Sequence, residues 1–443
     1  MLIIMLIFLL ILLFTVWESK KDLLSPSFLL IAGYIITTIC SLYNVERWKS
    51  DISGYMLFIV SLGIISFVVG EEVAGKIKPL RRFTVLPKRN NDLTSFVWKA
   101  STFRCLCLAV ICVASTFIVY NEVVRIAYLN FREWGNLLYN FKENLGDNSM
   151  NSAARIGMRL TKSVAFISAF LLMNNLTEKK ENRRNLLGEI SYMVSIITYV
   201  IQSLMTGSRI AVIMLLVGMI FLYLTLKYIK SGYKVDINIK RIIQAVVGIA
   251  IICILFFSVQ EMVGRMQQSE GPIDYLTTYL GGSYDLFSQY LRENRNSNRQ
   301  VVETLSGVVD NLQRYFGTLK NIEFSIYPEF RRAQTGILIG NTYTGFRNYY
   351  NDLGIVGVIL FSWLLGFLFS FVYRSIVLMK RFSVMKITLF IAYSTYLYCI
   401  LFHFFTDYFY LKISVGMVIE TMLLIACTIF VFGKKVKLGR IRI

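Results

Sequence analysis

Long apolar blocks recur along this chain, and they constrain its fold more than any short motif does. Eleven can be delimited, at about 2–17, 27–43, 54–70, 105–120, 157–175, 187–205, 210–226, 242–260, 353–373, 387–405 and 412–432. Each runs roughly 16 to 22 residues with few or no charges. That is close to the ~20 residues a helix needs to cross a ~30 Å hydrocarbon core at about 1.5 Å per residue. A soluble domain of 443 residues would disperse its apolar residues rather than block them. A membrane barrel would alternate apolar and polar positions over about ten residues, and no stretch does. The expected fold is an all-α polytopic membrane protein of about 11 transmembrane helices. No repeat and no Pro- or Gly-rich linker divides it, so residues 1–443 are read as one integral domain.

Orientation follows from the distribution of positive charge. Segments near 18–26, 71–104, 175–186, 227–241, 374–386 and 434–443 hold 28 of the 47 Lys and Arg residues, and the positive-inside rule places them in the cytoplasm. The connections near 44–53, 121–156, 206–209, 261–351 and 403–410 are then external. The N-terminus is expected outside and the C-terminus inside. The first block, Met1 to Trp17, lacks a basic lead and a small-residue cleavage site, and Lys20 and Lys21 follow it; it reads as a retained helix. The formal charge of +20 is accounted for by topology and needs no nucleic acid. The seven cysteines lie in or beside apolar blocks with no metal spacing and no disulfide framework, and neither metal nor cofactor is expected. Arg159, Lys162, Glu189 and Glu420 fall inside blocks, where a charge requires a partner or a polar cavity.

One connection, about 261–351, is large. Leu276, Tyr279, Leu280, Tyr284, Phe287, Tyr290 and Leu291 recur at helical spacing, as do Val301, Val302, Leu305, Val308, Val309, Leu312, Tyr315 and Phe316. Two amphipathic helices are expected there, on the outer membrane surface or over the bundle. The loop carries eight Arg against the single Lys320, whereas the cytoplasmic segments favour Lys. A guanidinium grips phosphate or carboxylate through a planar fork, so this bias points to an anionic ligand at the outer face. A solvated face and lipid headgroups are the plainer readings for Arg292, Arg295 and Arg299.

Three places concentrate chemistry. Thr206-Gly207-Ser208-Arg209 joins two blocks through a tight external turn, which puts Arg209 at the mouth of the bundle beside the N–H groups opening the next helix. Asn341 to Gly354 gathers amides, hydroxyls and the rings of Tyr343, Tyr349 and Tyr350 around Arg347 and Asp352, a mixture suited to carbohydrate. Asp352 is the best-placed external carboxylate to accept a proton from a sugar hydroxyl; capping the next helix or pairing with Arg347 is the alternative. The only histidine, His403, closes the tenth block, and Asp407 one turn on could orient it as an acid or base. Packing in an interfacial aromatic belt is the alternative for this pair.

The turn at 206–209, the region from Gly281 to Tyr290, and Asn341 to Gly357 with Thr344, Tyr349, Tyr350, Asp352, Gly354 and Gly357 resemble the Wzy-type polysaccharide repeat-unit polymerases, which build O-antigen, capsule and related polymers in bacteria. The layout of many spans with one large external loop before the last few also matches. The resemblance implies glycosyl transfer at the external face of the bacterial cytoplasmic (inner) membrane. A glycan on undecaprenyl pyrophosphate is joined to the non-reducing end of another lipid-linked repeat unit. It implies that external arginines engage pyrophosphate, which Arg209 and Arg347 match best and Arg265 next. Partners would be the lipid-linked oligosaccharide, the bilayer, a chain-length regulator and a flippase. Related ligases carry a histidine in the large loop; this loop has none, so His403 is at most an analogue by position. A ligase-like glycosyltransferase is one alternative. A flippase or transporter is another, although the five prolines, at 26, 79, 87, 272 and 328, leave the middle of every span intact.

Overall fold

The computed structural model describes residues 1–77, 100–128, 137–145, 149–178, 186–231, 271–293, 301–326, 328–378, 383–433, 437–438 and 441–442. The chain is an α-helical polytopic membrane protein. Among the described residues nine helices are long and apolar enough to cross a bilayer. They are α1 (Leu2–Lys20), α2 (Pro26–Trp48), α3 (Gly54–Gly75), α4 (Thr102–Ala127), α6 (Ser152–Leu176), α8 (Arg209–Lys230), α11 (Gly345–Val377), α12 (Val384–Tyr396, continued by a turn to Leu401) and α13 (Val415–Phe432). Nine of the eleven expected spans coincide with them. The sixth expected span is the helix α7 (Leu186–Met205). The eighth, at 242–260, lies outside the described residues, as does Arg265. Short α5 (Leu137–Leu145), and α9 (Pro272–Glu293) and α10 (Ser306–Asn311) of the large loop, are further helices among the described residues. Arg331–Arg332 and Leu338–Gly340 pair as a small antiparallel hairpin, β1 and β2.

The helices fall into two compact units: 1–84, 269–375 and 396–417 form the first, and 85–268, 376–395 and 418–443 the second. In the first, polar contacts gather helix ends at two places. At one end Lys20 bridges Glu71 and Glu72 at 3.0 and 3.1 Å, Ser27 donates to Glu71, and Tyr373 donates to Asp22 at 2.7 Å. At the other end the Ser53 N–H donates to Ser288 at 3.1 Å, Arg292 meets Asp51 at 2.9 Å, and Tyr55 and Tyr350 share a 3.2 Å hydrogen bond. Helix α9 packs its aromatic stripe against α2 and α3, with Tyr284 and Phe287 fully buried. It therefore takes the place of a packed layer over the bundle.

In the second unit the intramembrane charges find partners: Lys162 meets Glu420 at 2.6 Å, and Asn175 donates to Glu189. On α7, Gln202 donates to Thr116 and Thr161 at 3.0 and 3.1 Å, tying three helices by polar contacts that lipid cannot supply. Lys162→Met should therefore destabilise the detergent-solubilised protein by about 3 kcal/mol, because it strands Glu420, and Lys162→Met/Glu420→Met should recover most of that loss. Equal loss in single and double variants would show that the ion pair is not the reason.

Two expected boundaries are corrected. The second amphipathic helix, expected over 301–316, begins only at Ser306 and passes at Leu312–Phe316 into a π-helix. Residues 301–303 are non-helical instead, with Val302 bridged to Phe324, and Thr304–Leu305 form a turn into the helix. The Val302 N–H donates to Glu323 O and Ser325 N–H to Val302 O, and two further N–H groups are claimed by Asp352. The tenth span, expected to reach 405, ends at Leu401, and turns follow through Phe405. Helix α11 is likewise interrupted. Leu353 is non-helical and Gly354 stands at φ 61, ψ −145, a conformation open to glycine alone. Gly345 to Asp352 is thus a short separate helix that precedes the membrane-crossing part.

Candidate functional site

The large loop and this short helix enclose Arg347. Only 3% of it is exposed, and a guanidinium taken out of water must be compensated. Its Nη2 donates to Glu303 Oε1 at 2.9 Å and to Glu329 Oε2 at 3.0 Å. The guanidinium carbon lies 4.4 Å from the Tyr290 ring centroid and 4.2 Å from that of Tyr343, so two π-faces add to the carboxylates. Tyr343 in turn donates to Glu329 O at 3.1 Å, and Tyr290 to Asn351 Oδ1 at 2.6 Å. Outside this core, Arg331 pairs with Glu329 at 2.7 Å and Glu293 at 2.6 Å.

Asp352 is committed to the backbone. Its Oδ1 accepts the Glu303 N–H at 2.9 Å and its Oδ2 the Thr304 N–H at 2.8 Å, while Asn351 donates to Val301 O at 2.6 Å and to Asp352 Oδ1 at 3.1 Å. The short helix thereby grips residues 301–304 and holds Glu303 against Arg347. Burial pushes the Glu303 carboxyl up to about 7; Arg347 opposes the rise, and the neighbouring Asp352 and Glu329 add to it. Glu329, more exposed, ends below its ordinary value: burial works against ionisation there, but Arg347 and Arg331 outweigh it. Several buried polar atoms around this point have no hydrogen-bond partner among the described residues: Glu303 Oε2, Arg347 Nε and Nη1, and the hydroxyls of Thr304, Ser306 and Thr344. Native interiors rarely leave so many open valences together, and a polar ligand or water would use them.

A second cluster lies behind the short helix. His403 is 1% exposed; its Nδ1 lies 2.9 Å from the Tyr34 hydroxyl and its Nε2 3.1 Å from that of Tyr349. The Gly345 N–H donates to His403 O at 2.9 Å, so the histidine seats the first turn of the helix that carries Arg347. Asp407 does not orient it directly. Its Oδ1 accepts the N–H groups of Phe409 and Tyr410 at 3.0 and 3.1 Å, and Tyr349 stands between it and the imidazole. Burial pushes Asp407 up to about 7 despite those N–H groups.

The structure thus brings together Arg347, Tyr343 and Asp352, and separately Tyr349, His403 and Asp407. Tyr350 is apart from both, against Tyr55 at the start of α3. Arg209 belongs to the second unit, where it opens α8 after Gly207 at φ 63. No protein-family model, curated protein or solved structure matches the chain. Among the described residues no group of three or more His, Cys, Asp or Glu is placed to hold a metal ion. Sequence reasoning missed Glu303, Glu329 and the role of Tyr290. The signal for Glu303 was a lone carboxylate interrupting the apolar run Val301 to Leu305, which helical periodicity absorbed as a solvent-facing position.

Proposed function

We propose that the protein polymerises glycan repeat units carried on a polyprenyl pyrophosphate, at the external face of a bacterial cytoplasmic membrane. One observation carries the reading beyond the resemblance: a buried guanidinium fixed by two aromatic rings and two carboxylates, with open hydrogen-bonding atoms around it, where the large loop meets a membrane helix. Transfer to a sugar hydroxyl needs a carboxylate to accept the proton, rings for the apolar sugar faces and hydroxyls or amides for its polar edges. Such groups act most strongly where water is excluded.

The charge balance refines the roles. Arg347 already faces Glu303 and Glu329, so its charge has no surplus for a diphosphate; in this proposal it orders the carboxylates. By the resemblance alone, Arg209 and Arg265 remain the proposed contacts for pyrophosphate, whose negative charge a guanidinium would stabilise. A deletion strain should lose long polymer while keeping product that bears one repeat unit, and Arg209→Ala should reproduce that pattern on a glycan gel. A normal ladder in the deletion strain removes the function; loss of the one-unit product as well points to export or ligation instead.

A further inference from the structure

Resting on that reading, we propose that Glu303 is the proton acceptor of the transfer, with Oε2 the accepting atom and Asp352 a positioning residue. The two oxygens of Glu303 are differentiated by their surroundings. Oε1 is held by Arg347 Nη2, whereas Oε2 is buried with no partner among the described residues. Both oxygens of Asp352 are occupied by the backbone N–H groups of Glu303 and Thr304, which leaves Asp352 a poor proton acceptor and makes it the clamp for the residue beside it. The unpartnered hydroxyls of Thr304, Ser306 and Thr344 belong to the same and facing segments and supply donors and acceptors for a sugar.

The step balances with groups already named. The acceptor hydroxyl oxygen forms a bond to the anomeric carbon of the donor while the bond from that carbon to pyrophosphate breaks. The electron pair leaves with the diphosphate, the hydroxyl proton passes to Glu303 Oε2, and the carboxylic acid later releases it to water. The charged groups that face Glu303 are Arg347 and Asp352 from the short helix and Glu329 from the segment before β1. Burial raises the carboxyl to about 7, with Arg347 opposing the rise and Asp352 and Glu329 adding to it; there a base is half ionised at neutral pH and still strong enough to take a proton.

The test complements the deletion strain with variants and follows chain extension in membrane vesicles carrying their own lipid-linked glycan. Glu303→Gln keeps shape and hydrogen bonding but cannot accept a proton, so extension should fall about 100-fold or more while one-unit product persists. Glu303→Asp should retain a fraction of the rate. With the native protein, extension should decline about tenfold per pH unit below about 7, and this acidic limb should move in Glu303→Asp. Asp352→Asn should slow extension and move the limb to lower pH, because the Asp352 charge helps to raise the Glu303 carboxyl. A native ladder from Glu303→Gln, or a rate independent of pH between about 5.5 and 8, overturns the assignment and leaves the polymerase reading intact. A normal ladder in the deletion strain overturns both.

Discussion

Arg347→Ala is expected to destabilise the protein by about 3–5 kcal/mol and to abolish chain extension. The substitution removes the cation from between Glu303, which is 7% exposed, and Glu329, and leaves two carboxylates facing each other across the vacated space. Breaking a buried pair from one side costs about that much because the stranded charge keeps its desolvation penalty. Loss of the contacts with Tyr290 and Tyr343 adds about 0.5–2 kcal/mol. Arg347→Lys should recover only part of this, since an ammonium cannot lie flat against two rings while bridging two carboxylates. The Glu303→Gln/Arg347→Ala double variant should be more stable than Arg347→Ala alone, because the two residues are coupled. Thermal unfolding in detergent measures all three. Additive losses would mean that the cluster is not a unit.

The same carboxyl fixes the pH dependence of stability. The folded value for Glu303, about 7, lies above its ordinary 4.5, so the folded state binds the proton more tightly. Its stabilising contribution is complete below about 4.5 and is lost as pH rises through about 7. That sign is opposite to the pH dependence expected of catalysis by an ionised base, which strengthens over the same window. A site that is most useful where it is least stable is a common result of burying a functional charge.

Span positions were legible in the sequence because hydrophobic blocks of bilayer length have few alternative explanations. Arg347, Tyr343 and Asp352 were legible as a dense polar stretch before a span. Their roles were not, because the partners come from other segments of the loop: Glu303, 44 residues from Arg347, Tyr290, 61 residues from Asn351, and Glu329, 18 residues from Arg347. The failed helix over 301–305 has the same origin. Val301, Val302 and Leu305 fit a helical stripe, but Asp352 and the Glu323–Ser325 segment claim the backbone N–H and C=O groups that a helix would use. Tertiary hydrogen bonds outweighed periodicity over one turn, where helix nucleation offers little in return.

Gly366→Leu should have the second large effect, through a contact well away from Arg347. Helices α3 and α11 run parallel, from the Tyr55–Tyr350 contact to Gly75 beside Arg374, and meet at paired glycines. A Cβ at Gly366 would lie 2.1 Å from Phe67 O, and one at Gly70 would lie 2.1 Å from Trp363 O. These obstacles are backbone atoms of buried helical turns, which cannot rotate aside as a side chain could. A branched side chain at Gly366 must therefore separate the two helices. Between membrane helices, close packing at small residues is the principal attraction, since lipid is as apolar as the interface. The loss should reach about 3 kcal/mol, the upper end for overpacking. Separation here also reaches the site, because Gly63 of α3 packs directly on the Phe346 ring, next in sequence to Arg347. Chain extension should fall with stability, whereas Val356→Leu on the 67% exposed side of α11 should change stability by less than about 0.5 kcal/mol. Equal melting of Gly366→Leu and the native protein would show that the helices are not held at backbone contact.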